Sequence, residues 1–210
     1  MKNNLQKQII QITLILFCLI SKMAFAFSSP TDMVQTTSDQ MLSQLQIRQA
    51  TLKTDPNVVY DIVNRVLLPH ADLATMSRLV VGRNAWLNAN QSDRQAFIQQ
   101  FTMTLMRTYA TALASYTNQS VRVYPIRGGY ENQSPVQVNT EVTQPDGPPI
   151  PVSYRLALEN SGWKLIDFSV DGVSIVENYR AQFASDLNQG NLALLTQKLA
   201  QHNSSNSYSS

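Results

Sequence analysis

The run from Gly162 to Phe183 constrains this chain more than any other stretch, because strand, turn and helix signals follow one another with hardly a loop between them. Trp163 to Val170 is rich in aromatic and β-branched residues, which suit a pleated, half-buried surface. Asp171-Gly172 marks a turn, since glycine tolerates positive φ. Ser174 with Glu177 three residues on is in capping-box register, and Ile175, Tyr179 and Phe183 then recur at helical spacing. The spacing predicts that a strand delivers the chain directly into an amphipathic helix.

The rest of the chain arranges itself around that junction. Ser28 to Asp32 reads as a helix start, and Met33, Val34, Met41, Leu42, Leu45 and Ile47 follow at approximate helical spacing. Pro56 opens a second helix, whose period runs to Leu68 and is stopped by Pro69. Residues 70–81 form a short helix or turn broken by Gly82, and Asn84 to Leu87 a further helical piece. Ser92 is expected to cap the longest helix, with Phe97, Phe101, Leu105 and Tyr109 on its apolar face. After Asn118 the period changes from helical to alternating. Val121-x-Val123, Val136-x-Val138 with Val142, Val152 to Leu158, and Trp163 onward give four strands separated by Gly-, Pro- and Asn-rich turns. Leu192, Leu195 and Leu199 continue the helices after Gly190, and residues 203–210, rich in Ser and Asn, read as a disordered tail. The expected class is α+β, with helices packed on one face of a curved, mainly antiparallel four-stranded sheet.

The first 26 residues read as a secretory leader. Lys2 and Lys7 make a basic start, Ile9 to Ile20 is a mostly apolar run, and Ala24-Phe25-Ala26 offers a small-x-small cleavage pattern. The run is too short, and too interrupted by Gln11 and Thr13, to span a membrane. Phe17 before Cys18 argues against lipidation. Cleavage would place residues 27–202 as a single domain in the periplasm. It would also remove Cys18, the only cysteine, so no disulfide staples the core. Setting the leader's three lysines aside leaves 13 basic against 14 acidic residues, a balance that gives no footing for nucleic acid.

Chemistry-bearing patterns are sparse. His70 and His202 are the only histidines, and no metal-ligand spacing involves them. His70 with Asp72 could pair a base with an orienting carboxylate, but Pro-His-x-Asp reads more readily as a capped helix start. Asp167 and Asp171 flank the end of the last strand; Asp171 is assigned to the turn, and Asp167 is expected to face water or Lys164. Gly128-Gly129 opens no helix and cannot cradle phosphate.

Several segments, taken in order, carry a resemblance. They are Leu79-Val80-Val81-Gly82-Arg83-Asn84-Ala85-Trp86; Arg94-x-x-Phe97-x-x-x-Phe101; Leu105-x-x-x-Tyr109-Ala110-x-x-Leu113-x-x-Tyr116; and Gly162-Trp163-Lys164 through Asp171-Gly172-Val173-Ser174. Together they resemble the MlaC family, the periplasmic phospholipid-binding, toluene-tolerance group of Gram-negative bacteria. The resemblance runs from about Asp32 to Leu199; the long Pro145 to Pro151 connection departs from it. It implies an NTF2-like, MlaC-like fold enclosing an apolar cavity, with no catalytic residues, no metal and no cofactor other than phospholipid cargo. It implies a carrier that shuttles glycerophospholipid between an outer-membrane lipoprotein–porin complex and an inner-membrane ABC transporter with an MCE-domain subunit, maintaining outer-membrane lipid asymmetry. Within that reading the lipid-binding candidates are Phe97, Phe101, Leu105, Tyr109, Tyr154, Leu156, Ile166, Phe168, Val170 and Val173, with tyrosine hydroxyls at the mouth. Two alternatives stand beside it: an NTF2-like enzyme acting on a small hydrophobic substrate with Asp167 or His70 as base, and a carrier of lipoproteins.

Overall fold

The computed structural model describes residues 28–205 apart from Asp146 and Gly190. The leader and residues 206–210 lie outside the described residues.

The chain enters its first helix through a reciprocal cap. Ser29 Oγ accepts from the Asp32 N–H at 3.0 Å, and the Asp32 carboxylate accepts from the Ser29 N–H at 3.3 Å, which satisfies two of the donors a helix start leaves open. Helix α1 (Pro30–Ile47) follows, then the single turn α2 (Gln49–Leu52) and α3 (Pro56–Ile62), capped by Asp55. The second helix expected to reach Leu68 keeps its period but not its geometry. It widens into a π-helical turn over Val63–Leu67 and tightens into a 3-10 turn over Leu68–His70, where Pro69 has no N–H to continue the ladder. Helix α4 (Leu73–Val81) ends at Gly82, whose φ of +82° favours glycine, and α5 (Arg83–Asn88) is short.

Helix α6 (Gln91–Ala114) is the longest among the described residues. Its cap is Asn90 and not Ser92: Asn90 Oδ1 accepts from the Asp93 N–H at 2.8 Å, while Asn90 Nδ2 donates to the Asp93 carboxylate at 2.8 Å. The two-way bond places Ser92 inside the first turn, where its hydroxyl has no cap to make.

The alternating half of the chain forms a meander of five strands in the order β1 (Ser120–Val123), β2 (Val136–Thr143), β3 (Ile150–Glu159), β4 (Gly162–Val170) and β5 (Val173–Ser174), each antiparallel to the next. The fifth strand was not expected. Asp171 (φ +50°) and Gly172 (φ +79°) make a two-residue turn whose positive φ values reverse the chain, so Val173 and Ser174 pair with Val170 and Ser169 before the helix starts. Helices α7 (Ile175–Gln189) and α8 (Leu192–Ser205) complete the fold. Helix α8 runs three residues into the stretch read as tail. The buried Asn203 explains it, because its amide donates to both the backbone carbonyl and the side-chain Oε1 of Gln100 at 3.0 Å.

Three buried groups hold these layers. Val80, Phe97, Phe101, Tyr179, Phe183 and Leu195 knit α4, α6, α7 and α8. Met33 and Val34 of α1 cover Val136, Val138, Leu156, Trp163 and Leu165 on the sheet. Leu45, Leu52, Val59, Ile62, Ala110 and Tyr116 join α1, α2 and α3 to the end of α6. Phe168 packs against both of the first two groups.

Replacing Asn90 by Ala is expected to lower stability by about 1 kcal/mol, and Ser92→Ala by less than about 0.5 kcal/mol. Urea unfolding of the two variants checks the assignment; equal losses would return the cap to Ser92.

Candidate functional site

The period-two pattern puts one face of the meander almost entirely in apolar residues, and the strand register arranges them in rows. One row, Val136, Leu156 and Leu165, is closed under α1, all at 6% exposure or less. The next row is Val138, Tyr154 and Phe168. Val138 is sealed, while Tyr154 and Phe168 are only half-buried. Further along the face come Val123, Thr140, Val152, Val170 and Val173 across all five strands. Thr140 turns its hydroxyl to the Val152 carbonyl at 2.9 Å, which removes the one polar group of that row from the surface. Val152 and Val170 are half-buried, and Val173 is 56% exposed. The last row, Val121, Val142 and Ile150, is half-buried throughout. The face therefore grades from packed core at Val136, Leu156 and Leu165 to half-buried apolar surface at Val121, Val142 and Ile150, with Val173 exposed.

Helix α6 closes over the middle of this gradient. The Tyr109 ring meets Phe168 edge to face at 5.4 Å between centroids, and Leu105 lies half-buried one helical turn earlier. Burial raises the Tyr109 phenol above its usual pKa, with neighbouring Tyr179 adding to the shift. Burial likewise raises Tyr154, partly offset by a hydrogen bond with Thr140. Both phenols therefore stay neutral at physiological pH and add no charge to the apolar face.

The ten sequence candidates separate into two sets. Phe97 and Phe101 stack on each other at 5.6 Å and meet Phe183 edge to face, inside the helical core. Leu156 belongs to the closed row. Ile166 is buried at a β-bulge: Arg155 pairs with Asp167 and Leu156 with Leu165, which leaves Ile166 without a partner. Leu105, Tyr109, Tyr154, Phe168, Val170 and Val173 come together along the gradient. Val142, Ile150 and Val152 join them and were not among the candidates. Their alternation was visible, but their placement depends on register, which a single sequence does not carry.

The ionisable candidates are engaged in structural contacts. Asp167 does not face water or Lys164. It is 3% exposed, accepts from Ser174 Oγ at 2.7 Å and from the Val176 N–H at 3.1 Å, and lies 4.0 Å from the Arg155 guanidinium. The bulge at Ile166 shifts the strand by one residue and carries its carboxylate to the start of α7. Asp72 caps α4 through the Thr75 N–H at 2.9 Å, and burial, with the neighbouring Asp72 carboxylate, raises the Glu159 pKa. Lys164 Nζ donates to the Pro69 carbonyl at 2.6 Å. Burial, assisted by nearby Lys164, lowers the His70 pKa. Among the described residues no group of three or more His, Cys, Asp or Glu side chains is placed to hold a metal, and no helix is long and apolar enough to cross a membrane.

Fold and site together define a helix-covered meander that leaves part of an apolar sheet face open and, among the described residues, gathers no ionisable constellation along it. The chain matches the family model of the MlaC protein over residues 35–201 and belongs to that family. It is 30% identical over 171 residues to the toluene tolerance protein ttg2D of Pseudomonas putida, covering 81% of this chain and 79% of that protein. It is 27% identical over 186 residues to the intermembrane phospholipid transport system binding protein MlaC of Haemophilus influenzae, covering 87% and 86%. A phospholipid-binding protein from Ralstonia solanacearum, solved in complex with a phospholipid, superimposes with a TM-score of 0.79 at 28% identity, over 85% of this chain and 98% of that one.

Two outcomes test the structural assignment of the ionisable groups. Asp167→Ala is expected to cost about 3 kcal/mol in urea unfolding, since it orphans Ser174, the Val176 N–H and Arg155 together; a loss below about 1 kcal/mol would contradict it. Because His70 binds its proton less readily in the fold than at its usual pKa of 6.5, stability is lost as pH falls through the window just below that value. His70→Gln is expected to flatten this slope in melting temperature against pH. Glu159 acts in the opposite sense above its usual 4.5, in both proteins alike.

Proposed function

We propose that the chain is a periplasmic carrier of glycerophospholipid, with acyl chains lying along the graded apolar face between the sheet and α6 and the head group left at the open end near Val173. The observation that carries this reading is the gradient itself. A filled core would bury the rows of Val152 and Val121 as completely as that of Leu156, whereas these rows stay half-open and apolar. The relatives' names and the phospholipid held by the similar structure support the same ligand class.

Physical chemistry says why such a protein is needed. Two acyl chains hold about 30 methylenes at about 0.8 kcal/mol each, so a bare lipid in water is penalised by tens of kcal/mol. A carrier must offer shelter close to that of a bilayer. Shelter much poorer would prevent loading, and shelter much better would prevent release. The absence of charge along the face serves this balance, because a buried ionic group would have to be desolvated in each transfer. On this reading the chain is not an enzyme. It exchanges lipid between an outer-membrane lipoprotein–porin complex and an inner-membrane ABC transporter bearing an MCE-domain subunit, and thereby maintains outer-membrane lipid asymmetry. Periplasmic residence follows from cleavage of the leader after Ala26.

Val173→Glu places a carboxylate at the open end on a side chain that is already exposed, so the fold should keep its melting temperature. Copurifying phospholipid, quantified after organic extraction, is expected to fall by about tenfold or more. Undiminished lipid in the folded variant would move the mouth elsewhere. Activity toward a small hydrophobic substrate that vanished with His70→Gln would favour the enzyme alternative, and bound triacylated peptide the lipoprotein one.

A further inference from the structure

Alongside α7 from Arg180 to its end lies an open cleft of about 750 Å³, walled also by the α4–α5 junction, the first turn of α6 and the start of α8. A second, of about 320 Å³, runs on between α6 and α8 and shares Asp93 with the first. The first residue of α7 to line this furrow, Arg180, lies about 8 Å along the axis from the start of that helix, and the rest of the furrow's α7 wall, Ala184 to Asn188, lies further from Val173.

Its lining is unlike the graded apolar face. Val80, Val81 and Leu192 are buried beneath it, and Ala96, Ala193 and Ala200 make a shallow floor along the second part. The exposed side chains of Asn84, Asn88, Asn188, Gln99 and Gln197 stand around it with no hydrogen-bond partner among the described residues. Arg83 is likewise exposed and without an ion pair among the described residues, and Arg180 has only the exposed Glu177 at 3.9 Å. Asp93, the one carboxylate of the lining, is already engaged by Asn90 Nδ2.

We infer that this furrow docks an extended, acidic segment of a partner protein, laid along the amide side chains with a carboxylate held by Arg83 and Arg180. Each amide offers a donor and an acceptor, which matches the alternating N–H and C=O groups of an extended backbone. The alanine floor leaves room for that backbone to approach. Both arginines face the cleft with their charge nearly uncompensated, and guanidinium groups bind carboxylates bidentately. No aromatic residue lines either part, so the stacking surface a sugar ring would use is missing. A partner seated here would leave the end near Val173 free for lipid.

Benzoylphenylalanine placed at Asn88 and, separately, at Gln197 of the full exported chain tests this by photo-crosslinking in living cells, with the crosslinked peptides sequenced by mass spectrometry. The expected result is that both positions reach one contiguous stretch of a single protein containing Asp or Glu. Arg83→Glu with Arg180→Glu should lower the yield by about tenfold or more, while Arg83→Lys with Arg180→Lys retains more of it. Copurified phospholipid and melting temperature should be unchanged in both, which separates this inference from the carrier reading. Crosslinks to different proteins, to glycan or lipid alone, or to nothing would overturn it. So would a yield that charge reversal leaves intact, or one that the lysine pair reduces equally.

Discussion

Asp167 sits where the sheet hands the chain to its helices. Its carboxylate receives the Ser174 hydroxyl and the Val176 N–H on one side and lies beside Arg155 on the other, so β3, β4, β5 and the first turn of α7 meet at one buried charge. The Asp171-Gly172 turn brings β5 back alongside β4, and the bulge at Ile166 aims the carboxylate at the helix start. Once α7 is held there, Tyr179 and Phe183 reach Phe101, and the aromatic cluster sets α6 against α7. The position of α6 over the sheet, and hence the gradient it partly covers, depends on that junction.

Much of this architecture was legible in the residues. Four strands were found within about two residues of their ends, because alternation of valines with polar residues reports a half-buried sheet directly. The errors have local physical causes. Ser92 looked like a cap by residue type, yet the helix starts two residues earlier, where Asn90 accepts from the Asp93 N–H and its amide bonds back to the Asp93 carboxylate. Val173 and Ser174 read as the approach to a helix because a two-residue strand has too little pattern to register. Asn203 looked like tail, since its long-range partners, Gln100 and Thr104, are invisible without the tertiary fold.

The candidate face was legible in composition but not in arrangement. Tyr109, Phe168 and Tyr154 were recognised as apolar neighbours. The distinction between Phe97, packed among rings, and Val152, half-open at the sheet, depends on strand register and on which helix packs where, neither of which a single sequence carries. The charged groups at Asp72, Lys164 and Asp167 fasten elements together, which leaves the sheet face uniform. What remains along that face, among the described residues, is mainly apolar surface.

The central claim is that this surface shelters a diacyl lipid. Native mass spectrometry of the mature protein taken from a Gram-negative periplasm, followed by organic extraction, tests it most directly. The account predicts a complex heavier than the bare chain by the mass of a glycerophospholipid, in stoichiometric amount, with that lipid recovered in the extract. A ligand-free chain that also takes no lipid from phospholipid vesicles would contradict the account and return the graded rows to an ordinary, loosely covered core.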